Sequence, residues 1–129
     1  MEAFGRIKGL ADYISRKYTI AAEIGIGHFP DMAFSLLERG VRVFATDIRQ
    51  FRYERLRVAM DNIVEPDFSL YKGVQLVYSI RPPVELVPYM SNLAKKISAD
   101  LIVKPLASEH TGGELVRYGN TNFFIWKNR

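Results

Sequence analysis

The sequence predicts an α/β domain: a mainly parallel β-sheet covered by helices, closing with a β-hairpin. Three observations carry this. Short apolar runs alternate with stretches of helical period, the pattern of a parallel sheet whose crossovers are helices. The first run, TIAAEIG at residues 19–25, is mostly apolar and ends in glycine, which suits a central strand buried on both faces. The last two runs flank Gly119-Asn120, a hairpin turn rather than a crossover.

The elements follow in order. Phe4, Ile7, Leu10, Ala11 and Ile14 share one face of a first helix. After the 19–25 strand, Pro30 opens a second helix through DMAFSLLERG, where its missing N–H costs nothing, and Gly40 suits the C-terminal cap. VRVFATD (41–47) is the second strand, and the arginine-rich residues 48–55 form a loop or ragged helix. LRVAM (56–60) is the third strand, DFSLYKG (67–73) a single helical turn, and VQLVYSI (74–80) the fourth strand. Beyond RPP, Val84, Val87, Met90, Ala94 and Ile97 form one helical stripe, with Pro88 delaying or bending that helix. ADLIVKPL (99–106) is the fifth strand. The loop 107–113 is too short for another substantial helix, and ELVRYG and NFFIWK complete the hairpin.

At 129 residues, 1–129 forms one domain. With 48% apolar residues, including eight Phe and seven Tyr, it can bury a real core, which excludes disorder. There is no cysteine, so disulfides, thiolate metal sites and cysteine nucleophiles are excluded. No apolar run approaches the roughly 20 residues needed to cross a bilayer, and the N-terminus lacks a secretory pattern. The expectation is a soluble, cytoplasmic protein with no membrane partner. The net charge of +4 permits an RNA partner without requiring one.

The main constellation is Glu23-Ile24-Gly25-Ile26-Gly27-His28-Phe29-Pro30, at a strand-to-helix junction. Gly25 suits a tight turn, and Gly27 allows a ligand to approach the backbone closely. Asp47 ends the next strand, where a carboxylate can accept both hydroxyls of a ribose. Together these predict a nucleoside site. Glu23 stands inside a buried strand, where a carboxylate needs a partner. Two residues before the first glycine, it is expected to face the loop's opening, to meet either a cationic ligand group or a structural Arg or Lys.

This run resembles the first motif of the class I S-adenosylmethionine-dependent methyltransferases, a three-layer Rossmann-like fold. The resemblance implies S-adenosylmethionine as cofactor, with Glu23 holding its methionine portion, Gly25 and Gly27 forming the loop, and Asp47 holding the ribose. It also implies that Asp61, with Asn62 beside it, contacts the adenine amine. Ser79-Ile80-Arg81-Pro82-Pro83 resembles the family's fourth motif, and the terminal hairpin its last two strands. More narrowly, SIRPP, LIVKPL and the YGNT-aromatic ending resemble a small archaeal family of uncharacterised function. NAD, bound by a regulatory Rossmann module, and a ligand-free Rossmann scaffold remain the alternatives.

Three departures qualify the resemblance. Phe29 stands at the third glycine of the methyltransferase spacing and Pro30 at the last glycine of GxGxxG. An aromatic at Phe29 must turn outward or cover the pocket. Arg81 occupies the position of an amide or carboxylate. A guanidinium only donates hydrogen bonds, so it suits an anionic substrate, while Ser79 is the other candidate for orienting a substrate. Finally, the chain has almost no substrate-binding addition, so a second subunit would be needed to cover the site.

Other residues carry less. His28 is expected to be a solvated loop histidine. His110, Glu109 and Glu114 have no metal-ligand spacing, so no metal is expected. Arg49, Arg52, Arg55 and Arg57 form a basic run, either solvated or gripping RNA phosphates. Tyr118, Phe123, Phe124 and Trp126 are core or dimer-contact residues, with base stacking as the alternative.

Overall fold

The computed structural model describes residues 2–106 and 109–129, with side chains from residue 7 onward in the first helix. The elements are α1 (Glu2–Lys17), β1 (Ile20–Ile24), α2 (Asp31–Glu38), β2 (Arg42–Asp47), β3 (Arg57–Met60), β4 (Leu76–Ile80), α3 (Val87–Ile97), β5 (Asp100–Lys104), β6 (Glu114–Tyr118) and β7 (Thr121–Trp126). Every predicted strand is present. Phe4's side chain and residues 107–108 of the predicted loop lie outside the described residues.

The seven strands form one sheet in the order β3-β2-β1-β4-β5-β7-β6. β1 to β5 run parallel, and β7 returns antiparallel to both β5 and β6. Strand alternation sorts the core into two layers. Ala21, Tyr78 and Phe123 face α1 and α2, packing with Leu10, Ile14, Met32 and Leu36. Ala22, Ile24, Val77 and Leu101 face α3, against Met90, Leu93 and Ala94. The result is the three-layer α/β architecture the pattern predicts.

Local chemistry sets the helix ends. α2 starts after Pro30, carries Asp31 in its first turn, and ends with Gly40 at φ +83° just beyond its cap. α3 begins at Val87 with Pro88 in its first turn, where no N–H is required. A separate 3₁₀ turn, Val84–Leu86, precedes it. Val84 therefore falls off the predicted stripe and is 42% exposed, because the helical register starts after it.

Beyond β1 the chain passes to β2 on one side, whereas β4 pairs with β1 on the other. The strand order reverses at that point, and the two crossovers leave in opposite directions. A crevice between the carboxyl ends of β1 and β4 is the geometric consequence.

Candidate functional site

At this crevice the chain turns through Gly25 and Gly27, at φ +75° and +51°. A Cβ at Gly25 would meet nothing within 4 Å, so glycine serves the turn and keeps the space before it clear. The loop is latched to the end of β2. The N–H groups of Gly25 and Ile26 both donate to the Thr46 carbonyl, at 2.8 and 3.2 Å. The Gly27 N–H donates to the Asp47 carboxylate at 2.9 Å, and the Arg49 N–H donates to its other oxygen at 3.0 Å. The Tyr53 hydroxyl donates to the Gly27 carbonyl at 2.5 Å. Phe29 is 36% exposed and does not line the cleft, so it has turned outward.

In front of Gly25 opens a cleft of about 490 Å³, a size ordinary for small-molecule sites. Asp47, Asp61 and Asn62 form its polar side, and Ile48, Val64, Leu86 and Met90 its apolar walls. Ser79 and Arg81, with Pro82 and Pro83, line it from the β4 side, across β1 from the ends of β2 and β3. Asp61 is held by the Asp67 N–H at 3.0 Å and by the Tyr71 hydroxyl at 2.6 Å. Tyr71 is buried and also touches the Thr46 hydroxyl at 3.3 Å. Burial, and then its bond to Asp61, raise the Tyr71 pKa. Asp47 and Asp61 are thus fixed by the protein, and each carboxylate keeps lone pairs for a further donor.

Five of the predicted site residues, Gly25, Asp47, Asp61, Ser79 and Arg81, line this one cleft; Glu23 and Gly27 do not. Gly27 lies one step behind, donating to Asp47. Glu23 lies on the opposite face of β1 from Ile24, in the α1–α2 layer with Tyr78, and is 1% exposed. The Tyr78 hydroxyl donates to it at 2.7 Å. Among the described residues no Arg or Lys pairs with it, and it does not line the cleft, because strand alternation turns it to the α1–α2 face of β1. Burial pushes its pKa up to about 8, against a smaller downward pull from the Tyr78 bond. Ser79 is buried and its hydroxyl donates to the Ile24 carbonyl at 2.8 Å, tying β4 to β1 at the crevice.

Several participants had no signal in the sequence. Tyr71 reaches Asp61 from the far end of a 3₁₀ turn, Phe68–Tyr71, and no spacing rule connects the two. Ile48 and Val64 are 65% and 46% exposed, apolar side chains in polar loops, which is the one hint the chain offered. In the basic run, Arg49, Arg52, Arg55 and Arg57 are exposed. Between them, Phe51, Tyr53 and Leu56 pack against Ile26 and Ala33. Phe123 and Phe124 are buried in the core, as expected, which removes the alternative of base stacking for these two. No described helix is long and apolar enough to cross a membrane.

The sheet order gives a Rossmann-like fold of the kind found in methyltransferases. An S-adenosyl-L-methionine methyl transferase from Silicibacter pomeroyi superposes with a TM-score of 0.60 at 10% identity, over 97% of this chain and 91% of that one. An amino pentose methyltransferase from Micromonospora echinaspora, solved with S-adenosylmethionine bound, has a TM-score of 0.54 at 18% identity, over 91% and 63%. The chain itself belongs to UPF0146, an uncharacterised protein family whose model matches residues 7–128. A UPF0146 protein of Archaeoglobus fulgidus is 36% identical over 118 residues, 90% of this chain and 91% of the relative.

Proposed function

We propose that this protein binds S-adenosylmethionine in the cleft and is a methyltransferase-like protein in that sense. The observation that carries the reading is the convergence of Gly25, Asp47 and Asp61 on one crevice at the switch point. The chemistry of the lining fits the ligand. Adenosine presents donors, its ribose hydroxyls and exocyclic amine, and the polar side of the cleft presents fixed carboxylate acceptors. Ile48, Val64 and Met90 offer apolar surface to the faces of a base. Support also comes from the fold shared with the Micromonospora enzyme, which holds this cofactor.

Bound there, the cofactor supplies an electrophilic methyl group. The chain's own part is to bind and orient. Asp47 and Asp61 accept from the nucleoside, and the apolar walls exclude water around it. Gly27 holds Asp47 in place.

NAD is disfavoured by the same geometry. Its pyrophosphate needs free N–H groups at the loop and helix start. Here the Gly25, Ile26 and Gly27 N–H groups are taken by Thr46 and Asp47, Pro30 has none, and Asp31 places a negative charge at the start of α2. A ligand-free scaffold is disfavoured by the outward Phe29.

The test is a thermal-shift series on the full chain with S-adenosylmethionine, S-adenosylhomocysteine, NAD and NADP. The expected result is a shift with the first two alone. Asp47→Asn keeps an oxygen acceptor for the Gly27 N–H and gives up the one for the Arg49 N–H, so it should lose most of that shift, read against the variant's own melting temperature without ligand. A shift with NAD alone, no shift with any compound, or an undiminished shift in Asp47→Asn would overturn the reading.

A further inference from the structure

Among the described residues Arg81 is the one cation that lines the cleft, and the proposed binding of the nucleoside does not use it. Its guanidinium has no ion pair or hydrogen bond with any described residue, although Asp47 and Asp61 line the same space. Those carboxylates bond instead to the Gly27 and Arg49 N–H groups and to the Asp67 N–H and Tyr71 hydroxyl, with lone pairs to spare. Nor is Arg81 a loose surface residue by its backbone. Its φ is +54°, a region costly for any side chain with a Cβ. Its N–H donates to the Lys104 carbonyl at 2.6 Å, and the buried Pro82 follows it. A glycine would satisfy this turn with less strain. An arginine is there instead, at the lining of the cleft, its backbone fixed and its planar five-donor head unpaired among the described residues.

We infer that Arg81 is the anion-recognition residue of the cleft, taking a carboxylate or phosphate at the end opposite Asp47 and Asp61. The cleft then has an acceptor side for hydroxyls and amines and a donor side for one negative group, which sets the class of molecule it admits. A guanidinium matches a planar carboxylate or a phosphate with two parallel hydrogen bonds, which an ammonium cannot do. This inference rests on the nucleoside reading for the acceptor side only. The negative group has two sources: the amino-acid end of the nucleoside ligand itself, or a second molecule bound beside it.

Calorimetric titration of the full chain separates these. The probes are S-adenosylhomocysteine, 5′-methylthioadenosine (the same nucleoside with a methyl group in place of the amino-acid end) and inorganic phosphate. The variants are Arg81→Gly, which suits the φ of +54°, and Arg81→Lys. If the anion is the ligand's own, Arg81→Gly weakens S-adenosylhomocysteine about tenfold or more, the worth of a charged hydrogen bond, and leaves methylthioadenosine within twofold. Arg81→Lys then recovers only part of the loss. If the anion belongs to a second molecule, both nucleosides are unchanged, and phosphate binds the methylthioadenosine-saturated native chain but not the Arg81→Gly form. Equal weakening of both nucleosides would make Arg81 a shaping residue and overturn the inference. So would unchanged nucleoside affinity with no Arg81-dependent phosphate binding. Should the native chain bind neither nucleoside, the nucleoside reading fails alone. Phosphate titrated into the free native and Arg81→Gly chains then decides the anion site, by the same loss or its absence.

Discussion

Glu23 shows how much one side chain can impose. It is buried, takes a hydroxyl from Tyr78, and has its pKa raised from 4.5 to about 8 by burial. The folded chain therefore keeps a proton that the unfolded chain releases above pH 4.5. Stability from this group is intact below pH 4.5, falls as pH rises through the window to about 8, and is fully lost above it. The slope is at most ~1.4 kcal/mol per pH unit. Glu23→Gln keeps an oxygen acceptor for Tyr78 and cannot ionise. Urea unfolding from pH 4 to pH 9 is expected to show native and variant alike near pH 4, with the variant ahead by a few kcal/mol at pH 9. A variant that loses ground as pH rises would mean that Glu23 is ionised and paired. The sequence marked Glu23 as unusual, but not its partner. Tyr78 is two residues from the end of another strand, and only the parallel pairing of Glu23 with Tyr78 brings the two side by side.

The strands were legible because each is a short apolar run closed by a charge or a turn residue, as at Asp47 and Asp61. The irregular pieces were not. Val84 obeys the helical period of α3, yet the 3₁₀ turn before Val87 breaks the register. Tyr71 looks like any aromatic in a short turn until Asp61 is placed beside it. The C-terminal hairpin was readable from Gly119-Asn120, whereas the role of Gly113 was not. There φ is +74°, and a Cβ would lie 2.9 Å from two Trp126 ring atoms and 3.0 Å from the Ile125 carbonyl oxygen. Gly113→Ala must move the indole or the strand and also strain the backbone, at a cost of about 1–3 kcal/mol. Trp126 is the sole tryptophan, so its emission reports the site. The expected outcome is a lower melting temperature with a red-shifted emission. An unchanged spectrum at unchanged stability would show that the hairpin packs differently.

Across the whole molecule, the site is a product of strand order rather than of any one motif. Gly25, Asp47, Asp61 and Ser79 come from the ends of β1, β2, β3 and β4, and they share a cleft only because the sheet runs β3-β2-β1-β4. Sequence spacing suggested the first two as a pair; the inclusion of the others depends on the parallel order. It follows that a ligand bound there ties four crossover loops together and leaves the antiparallel β6–β7 end untouched. A second depression, around Tyr18, Asp100 and Lys127, sits at the opposite, amino-terminal end of the strands. The two locations make separable demands on amide hydrogen exchange. With S-adenosylhomocysteine at about 100 times its Kd, the chain gains ~2.7 kcal/mol of stability by mass action. Beyond that global gain, slowing is expected to concentrate in residues 25–28, 47–49 and 61–64, where local opening exposes loops the ligand bridges. β6 and β7 should follow the global change alone. Protection gathered instead around Tyr18 and Lys127 would place the ligand at the wrong end of the sheet and remove the switch point from the account.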